Sequence, residues 1–184
     1  MNIILKKIIL KFLYKTHLTR INPDHVLPYL LKRNKILKSL EKSITVDTNF
    51  KIRSTFAEGT LGMKANSRNQ FLNNIISSDY TLCYRGSANY SLRFYETLCL
   101  GKIPLLIDTD CVLPFQKELD WNNICLIVSE NEVADIPRIV LDHYNSHSNN
   151  QFIEKQYHCR AIWEKYLSKK GFYKQLNKKI NLSD

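Results

Sequence analysis

The segment YTLCYRGSANYSLRFYETLCLGKIPLLID, residues 80–108, carries the reading of the fold. YTLCY (80–84) is a short apolar run, the mark of a strand buried on both faces. RGSANY (85–90) follows as a turn. SLRFYETLCL (91–100) then switches to helical periodicity and meets Gly101, which suits the position just past a helix end. KIPLLID (102–108) is again continuously apolar and reads as a second buried strand. A strand, a helix and a strand within roughly 30 residues make one parallel βαβ unit.

Beyond it, TDCVLPF (109–115) leaves the second strand as a loop, and NICLIVS (123–129) supplies a third strand. Asp135 before Ile136 and Pro137 reads as an N-cap with proline in the first turn, opening a helix to about Tyr144. NSHSNNQ (145–151) is a polar hinge. Two basic helices, near 152–168 and 171–180, finish the chain. In the other direction, EGTLGMKAN (58–66) reads as a loop and Ser67 as the cap of a helix to about Ser78. That helix buries Phe71, Leu72, Ile75 and Ile76. SITVDTNFKIRSTF (43–56) has the β-branched alternation of a strand and its exit. Leu27, Leu30, Leu31, Ile36, Leu37 and Leu40 recur at helical spacing, with Pro28 tolerated only near that helix's start. The alternation predicts an α/β fold, a Rossmann-like parallel sheet with helices on both faces. It divides the chain into a basic helical leader (1–42), a sheet-bearing domain (43–150) and C-terminal basic helices (151–184).

The 184 residues are 44% hydrophobic and 24% charged, which suits one globular domain and excludes disordered, collagen-like and coiled-coil classes. Cys83, Cys99, Cys111, Cys125 and Cys159 are scattered and odd in number. That disfavours a disulfide framework or zinc ribbon and points to a reducing, cytoplasmic compartment. The net charge of +10 is unevenly spread: residues 1–42 carry +8, residues 151–184 carry +5, and the middle carries −3. The charge is thus a property of the flanks. Lys6, Lys7, Lys11 and Lys15 break every apolar run near the start, so neither a spanning helix nor a signal peptide is expected. A basic amphipathic helix remains, suited to peripheral contact with the inner face of a membrane or to packing on a partner.

Chemistry concentrates between Arg85 and Glu96. Ligands of open α/β sheets bind at the carboxyl ends of strands, where loops meet helix N-termini and backbone N–H groups attract phosphate. Ser91 can donate a hydroxyl hydrogen bond to such an anion, and Arg93 supplies a planar, permanently charged fork. Glu96 shares a helix face with Arg93 and can accept hydrogen bonds from a ribose diol. The plainer alternative is an Arg93–Glu96 ion pair with only a structural role.

CYRGSANYSLRFYETLCLGKIPLLIDTDCVLPFQKELDW (83–121) resembles the exostosin family, glycosyltransferase family 47 and its bacterial relatives. The matching elements are Arg85-Gly86, Ser91, Arg93, Glu96, Gly101, Ile103-Pro104, Pro114-Phe115 and Asp120-Trp121; weaker similarity runs back to residue 34 and on to about Tyr144. The resemblance implies the C-terminal, donor-binding half of a GT-B glycosyltransferase, an enzyme of two facing Rossmann-like domains. It implies a nucleotide-sugar donor, UDP-linked, a hexosyl or glycuronosyl transfer, and a glycan acceptor in the biosynthesis of a surface or secreted polysaccharide. By position, Glu96 would bind the ribose, Arg93 and Ser91 the diphosphate, with Arg85 and Gly86 beside them. No metal and no further cofactor is implied, and the catalytic base is not identified. Only about 40 residues precede the matching region, so a partner chain supplying the other half is expected, or a truncated copy.

Other signals point elsewhere. Asp108-Thr109-Asp110 spells a DxD that could hold a divalent cation. His143 and His147 have the spacing of a zinc pair but lie at the polar hinge, where solvated histidines are expected. Phe152, Tyr157, Trp163, Tyr166, Phe172 and Tyr173 lie among lysines, a mixture that can grip nucleic acid but at near-helical spacing suits packing. Walker A, GxGxxG, HExxH and GxSxG patterns are absent from the sequence. Besides the transferase, two alternatives stand: a non-catalytic, partner-binding remnant of one, and a basic nucleic-acid-binding protein.

Overall fold

The computed structural model describes residues 3–19, 23–51, 61–86 and 88–181. Three short strands, β1 (Tyr80–Cys83), β2 (Ile103–Asp108) and β3 (Leu126–Ser129), form one parallel sheet in the order β1-β2-β3. Leu82 aligns with Leu105, and Leu105 with Leu126. Eight helices accompany them among the described residues: α1 (Ile3–Lys15), α2 (Pro23–Glu41), α3 (Leu61–Ile76), α4 (Leu92–Cys99), α5 (Trp121–Ile124), α6 (Ile136–Asn145), α7 (Asn149–Ile162) and α8 (Lys169–Asn181). A 3₁₀ segment (Glu130–Asp135) precedes α6, and a π turn (Trp163–Leu167) joins α7 to α8.

The sheet is covered on both faces, as its unbroken apolar strands require. On one side Cys83, Leu106 and Ile127 meet Phe94 and Leu98 of α4, Trp121 and Ile124 of α5, and Phe152, Cys159 and Ile162 of α7. On the other, Tyr84, Leu105, Ile107 and Val128 meet Ile36 and Leu40 of α2 and Ile136 of α6. Successive residues of a strand point to opposite faces, which explains the alternation of 105, 106 and 107. Phe94, fully buried and within 5.3 Å of the Trp121 ring, anchors the first core. Burying a side chain of that size contributes about 1.5–3 kcal/mol.

The unit β1-α4-β2 follows its sequence closely. Gly101 adopts φ of +68° past the end of α4, a conformation only glycine takes without strain. Arg160 of α7 donates to the backbone carbonyl of Cys99, supplying a cation to the C-terminus of α4. Ser148 and Gln151 form a reciprocal capping box at the start of α7. The hinge is accordingly shorter than residues 145–151.

Several expectations are corrected. Residues 43–51 form a bend and extended coil rather than a strand, unpaired with the described sheet; Val46 and Phe50 pack on one face of that sheet as a covering segment. Residues 52–60, the rest of that segment, lie outside the described residues. Helix α3 begins at Leu61, so 61–66 is helix rather than loop and Ser67 is interior. Ile76 is half exposed rather than buried. Helix α2 starts at Pro23, placing Pro28 within it. The third strand, expected over 123–129, begins only at Leu126; residues 121–124 make a helical turn whose Asp120 side chain accepts from the Asn122 N–H. Asp135 makes no side-chain cap; the 3₁₀ segment runs directly into α6.

Candidate functional site

The carboxyl end of β1 and the first turn of α4 enclose a cleft of about 170 Å³. Leu82 and Tyr84 line it from the strand, and Ser91, Leu92, Arg93 and Glu96 from the helix. The fold brings three of the expected residues together here: Ser91, Arg93 and Glu96. Whole ligand pockets usually exceed roughly 300 Å³, so this cleft accommodates one polar group of a larger ligand. A second, apolar recess behind Ser91, floored by Phe94 and Leu106, holds only about 10 Å³.

Ser91 is the N-cap residue of α4, with φ of −122° and ψ of 116°, and its hydroxyl makes no capping hydrogen bond. The first turn of α4 therefore has no side-chain cap at the edge of the cleft. The Arg93 guanidinium lies 5.0 Å from the centre of the Phe71 ring, and Arg68 of α3 sits 5.1 Å from the same ring. Arg68 also donates to a Glu96 carboxylate oxygen at 3.1 Å. The ion pair anticipated between Arg93 and Glu96 is thus made by Arg68 instead. Both partners keep substantial exposure, so the pair is worth at most about 1 kcal/mol and can open.

Arg85 and Gly86 do not line the cleft. The Arg85 guanidinium stacks 3.8 Å above the Tyr29 ring of α2. Gly86 is exposed, with open space where a Cβ would stand, so packing does not dictate glycine there. Tyr84 donates to Glu130 at 2.6 Å, and Lys32 of α2 donates to the same carboxylate at 2.7 Å. These bonds, Lys32 first, hold the Glu130 carboxyl below the usual carboxylate range, while burial and then Glu130 push the Tyr84 phenol up. Directly beneath the cleft, burial pushes the Cys83 thiol up to about 12.

The sequence did not single out Arg33, Arg68, Phe71 or Tyr84 as site residues. Arg33 was absorbed into a basic flank, although it stands in one helical stripe with Tyr29, Ile36 and Leu40.

Asp108 and Asp110 form a tight turn. The Asp108 carboxylate accepts from the Asp110 N–H at 2.9 Å, Asp110 has φ of 57°, and Asn89 donates to the Thr109 and Asp110 carbonyls at 3.0 and 3.1 Å. No group of three His, Cys, Asp or Glu side chains among the described residues is placed to hold a metal ion. His143 is half-buried rather than solvated. Its Nδ1 lies 2.6 Å from the Tyr80 hydroxyl, and the His147 ring bonds the His143 carbonyl. Phe152 belongs to the core and Trp163 and Tyr166 pack against it, whereas Tyr157, Phe172 and Tyr173 are largely exposed. No helix of the described residues is long and apolar enough to cross a membrane.

A three-stranded parallel sheet flanked by helices, with a polar cleft at one strand's carboxyl end, defines an α/β unit. The Exostosin GT47 domain model matches residues 31–142, and the chain belongs to that family. It is 29% identical over 119 residues to the Exostosin-1 homolog of Caenorhabditis elegans, covering 60% of this chain and 30% of that protein. It is 30% identical over 90 residues to Exostosin-1 of Drosophila melanogaster, covering 49% of this chain and 11% of that protein. A probable glucuronoxylan glucuronosyltransferase of Arabidopsis thaliana is 34% identical over 84 residues, covering 46% of this chain and 18% of that protein. The chain thus spans less than a third of the length of each of these relatives.

Proposed function

We propose that this chain is the nucleotide-sugar-binding half of a GT-B glycosyltransferase, with the donor held at the cleft between β1 and α4. The observation that carries the reading is the meeting of Ser91, Arg93 and Glu96 at the uncapped N-terminus of α4. In this reading Arg93, Ser91 and the first-turn amides take the diphosphate, and Glu96, once released by Arg68, accepts from the ribose hydroxyls. Charge developing on the departing diphosphate is stabilised by a cation and a helix N-terminus, which is electrostatic catalysis needing no metal. Arg85 and Gly86 lie outside the cleft, and in this reading Arg85 acts through its stack on Tyr29 rather than by touching the donor. The names of the relatives, among them glucuronosyltransferases and a xylosyltransferase, support a nucleotide-linked sugar donor and a glycan acceptor.

The sheet-bearing segment 43–150 carries most of the site, with α2 and α7 of the two flanks packed on the sheet. Leu92 at the cleft, and Tyr90 and Val112 at the neighbouring apolar recess, stand exposed, at 67%, 52% and 82%. Such a rim suits a second domain closing over the donor. We place this half in the cytoplasm, with α1 available for peripheral contact at a membrane.

The test is calorimetric titration of the chain with UDP, with and without EDTA. EDTA-insensitive binding that weakens about tenfold or more in Arg93→Ala and Glu96→Ala supports the donor site. Binding abolished by EDTA would move the nucleotide to Asp108 and Asp110. No binding would leave the partner-binding remnant as the better reading.

A further inference from the structure

We propose that Arg33 of α2 is a second anion-binding residue of this cleft, forming with Arg93 a two-arginine clamp for a diphosphate. This deepens the donor-site reading, and rests on it for the identity of the nucleotide but not for the anion chemistry.

The argument begins with the helix. Tyr29, Arg33, Ile36 and Leu40 fall on one stripe of α2, at the three- and four-residue spacing that puts side chains on one face. Ile36 and Leu40 are buried against the sheet, at 4% and 5% exposure, and Tyr29 packs on the same core. Arg33 stands in that stripe at the edge of the core, more than a third exposed, so that its stem lies along the apolar surface and its charged head stays at the boundary with water. The cleft lies at that edge: Arg33 lines it together with Arg93 and Ser91.

The two guanidiniums also differ from their neighbours in pairing. Arg68 meets Glu96, Arg138 meets Asp135 and Asp142, and Arg160 meets Glu164. Among the described residues no carboxylate pairs with Arg33 or Arg93. The one acid in the cleft, Glu96, is engaged by Arg68. Burial and then the like charge of Arg93 push the Arg33 pKa below its ordinary value. Arg33 keeps more than a third of its surface in water, so the effect is modest. Like charges converging on one space, with neither neutralised by the protein, suit a multiply charged anion with oxygens for both forks. A diphosphate has that charge and span, and a cleft of about 170 Å³ has room for it.

Two contacts hold the second wall in place. Lys32 is tied to Glu130 beyond β3, and Tyr29 stacks under Arg85 from the β1 exit. Helix α2 is therefore a wall of the site.

Inorganic pyrophosphate, titrated calorimetrically into the full chain at physiological salt, is the probe. Wild type is expected to bind one equivalent, and Arg33→Gln and Arg93→Gln each to weaken binding about tenfold or more, as expected for loss of one charge-assisted contact. Arg138→Gln, which removes an equal charge from the surface of α6, is expected to leave binding unchanged. Protection of wild type against phenylglyoxal, read residue by residue by mass spectrometry, tests the site without a variant: pyrophosphate should shield Arg33 and Arg93 but not Arg138. An Arg33→Gln variant that binds like Arg138→Gln, no pyrophosphate binding by wild type, or no shielding of Arg33 would overturn the clamp. Titration with UDP separates the readings. UDP binding no tighter than pyrophosphate would end the donor-site proposal while leaving the clamp standing. Tight UDP binding indifferent to Arg33→Gln would do the reverse.

Discussion

His143 shows how one polar side chain is drawn into this core. It lies at the C-terminal turn of α6, where its Nδ1 and the Tyr80 hydroxyl share a hydrogen bond of 2.6 Å. Burial, then the charges of Lys155 and His147, push its pKa down to about 4. The unfolded chain takes up this proton near pH 6.5, whereas the folded protein resists it until about pH 4. The contribution to stability is complete above pH 6.5 and is lost as pH falls through that window. Melting temperatures measured from pH 7 to pH 4 should therefore fall less steeply in His143→Gln than in wild type, with a difference on the order of 2–4 °C. Parallel curves would show that the imidazole titrates as it does in the unfolded chain.

At the scale of elements, the tightest join is between the π turn and α8. A Cβ on Gly171 would stand against the Glu164 carbonyl oxygen and 2.7 Å from that of Lys165, both backbone atoms that cannot swing aside. Gly171→Ala should cost about 1–3 kcal/mol by overpacking, a loss of roughly 2–10 °C in melting temperature, as α8 is levered off the turn. Unchanged melting would mean that the join yields freely. How far the sequence reveals such features depends on how local their cause is. The unit β1-α4-β2 was legible because apolar continuity, helical period and Gly101 agreed over a short span. The helical start at Leu61 was hidden because Gly62 and Ser67 suggest a loop and a cap, while Met63, Lys64 and Ala65 favour helix. The β-branched residues of 43–48 imitate a strand, yet the described sheet offers them no partner. Within the site, Ser91, Arg93 and Glu96 were legible because they share one strand-to-helix turn. Arg68 and Arg33 arrive from α3 and α2, and only the tertiary fold brings them in.

For the whole molecule, the separation of charge decides how the chain meets polyanions. The basic flanks carry +13 between them and the middle −3, so nucleic acid would engage the flanks by counterion release. Binding to a duplex of random sequence should fall at least tenfold between 50 and 200 mM salt and be indifferent to Arg93→Ala. UDP binding should change far less with salt and weaken about tenfold or more in that variant. Duplex binding that survives salt and depends on Arg93 would return the nucleic-acid reading to first place.

The five cysteines give the fold an internal clock. Cys83, Cys125 and Cys159 are buried in the core on the α4 face and keep their protons well into alkaline solution, whereas Cys99 and Cys111 retain some exposure. A thiol reacts as the thiolate and only where a reagent can reach it. Alkylation of the three sealed thiols therefore proceeds only as fast as that layer of helices parts from the sheet. Their alkylation times report how often this half of the molecule breathes open, with no probe engineered into the chain.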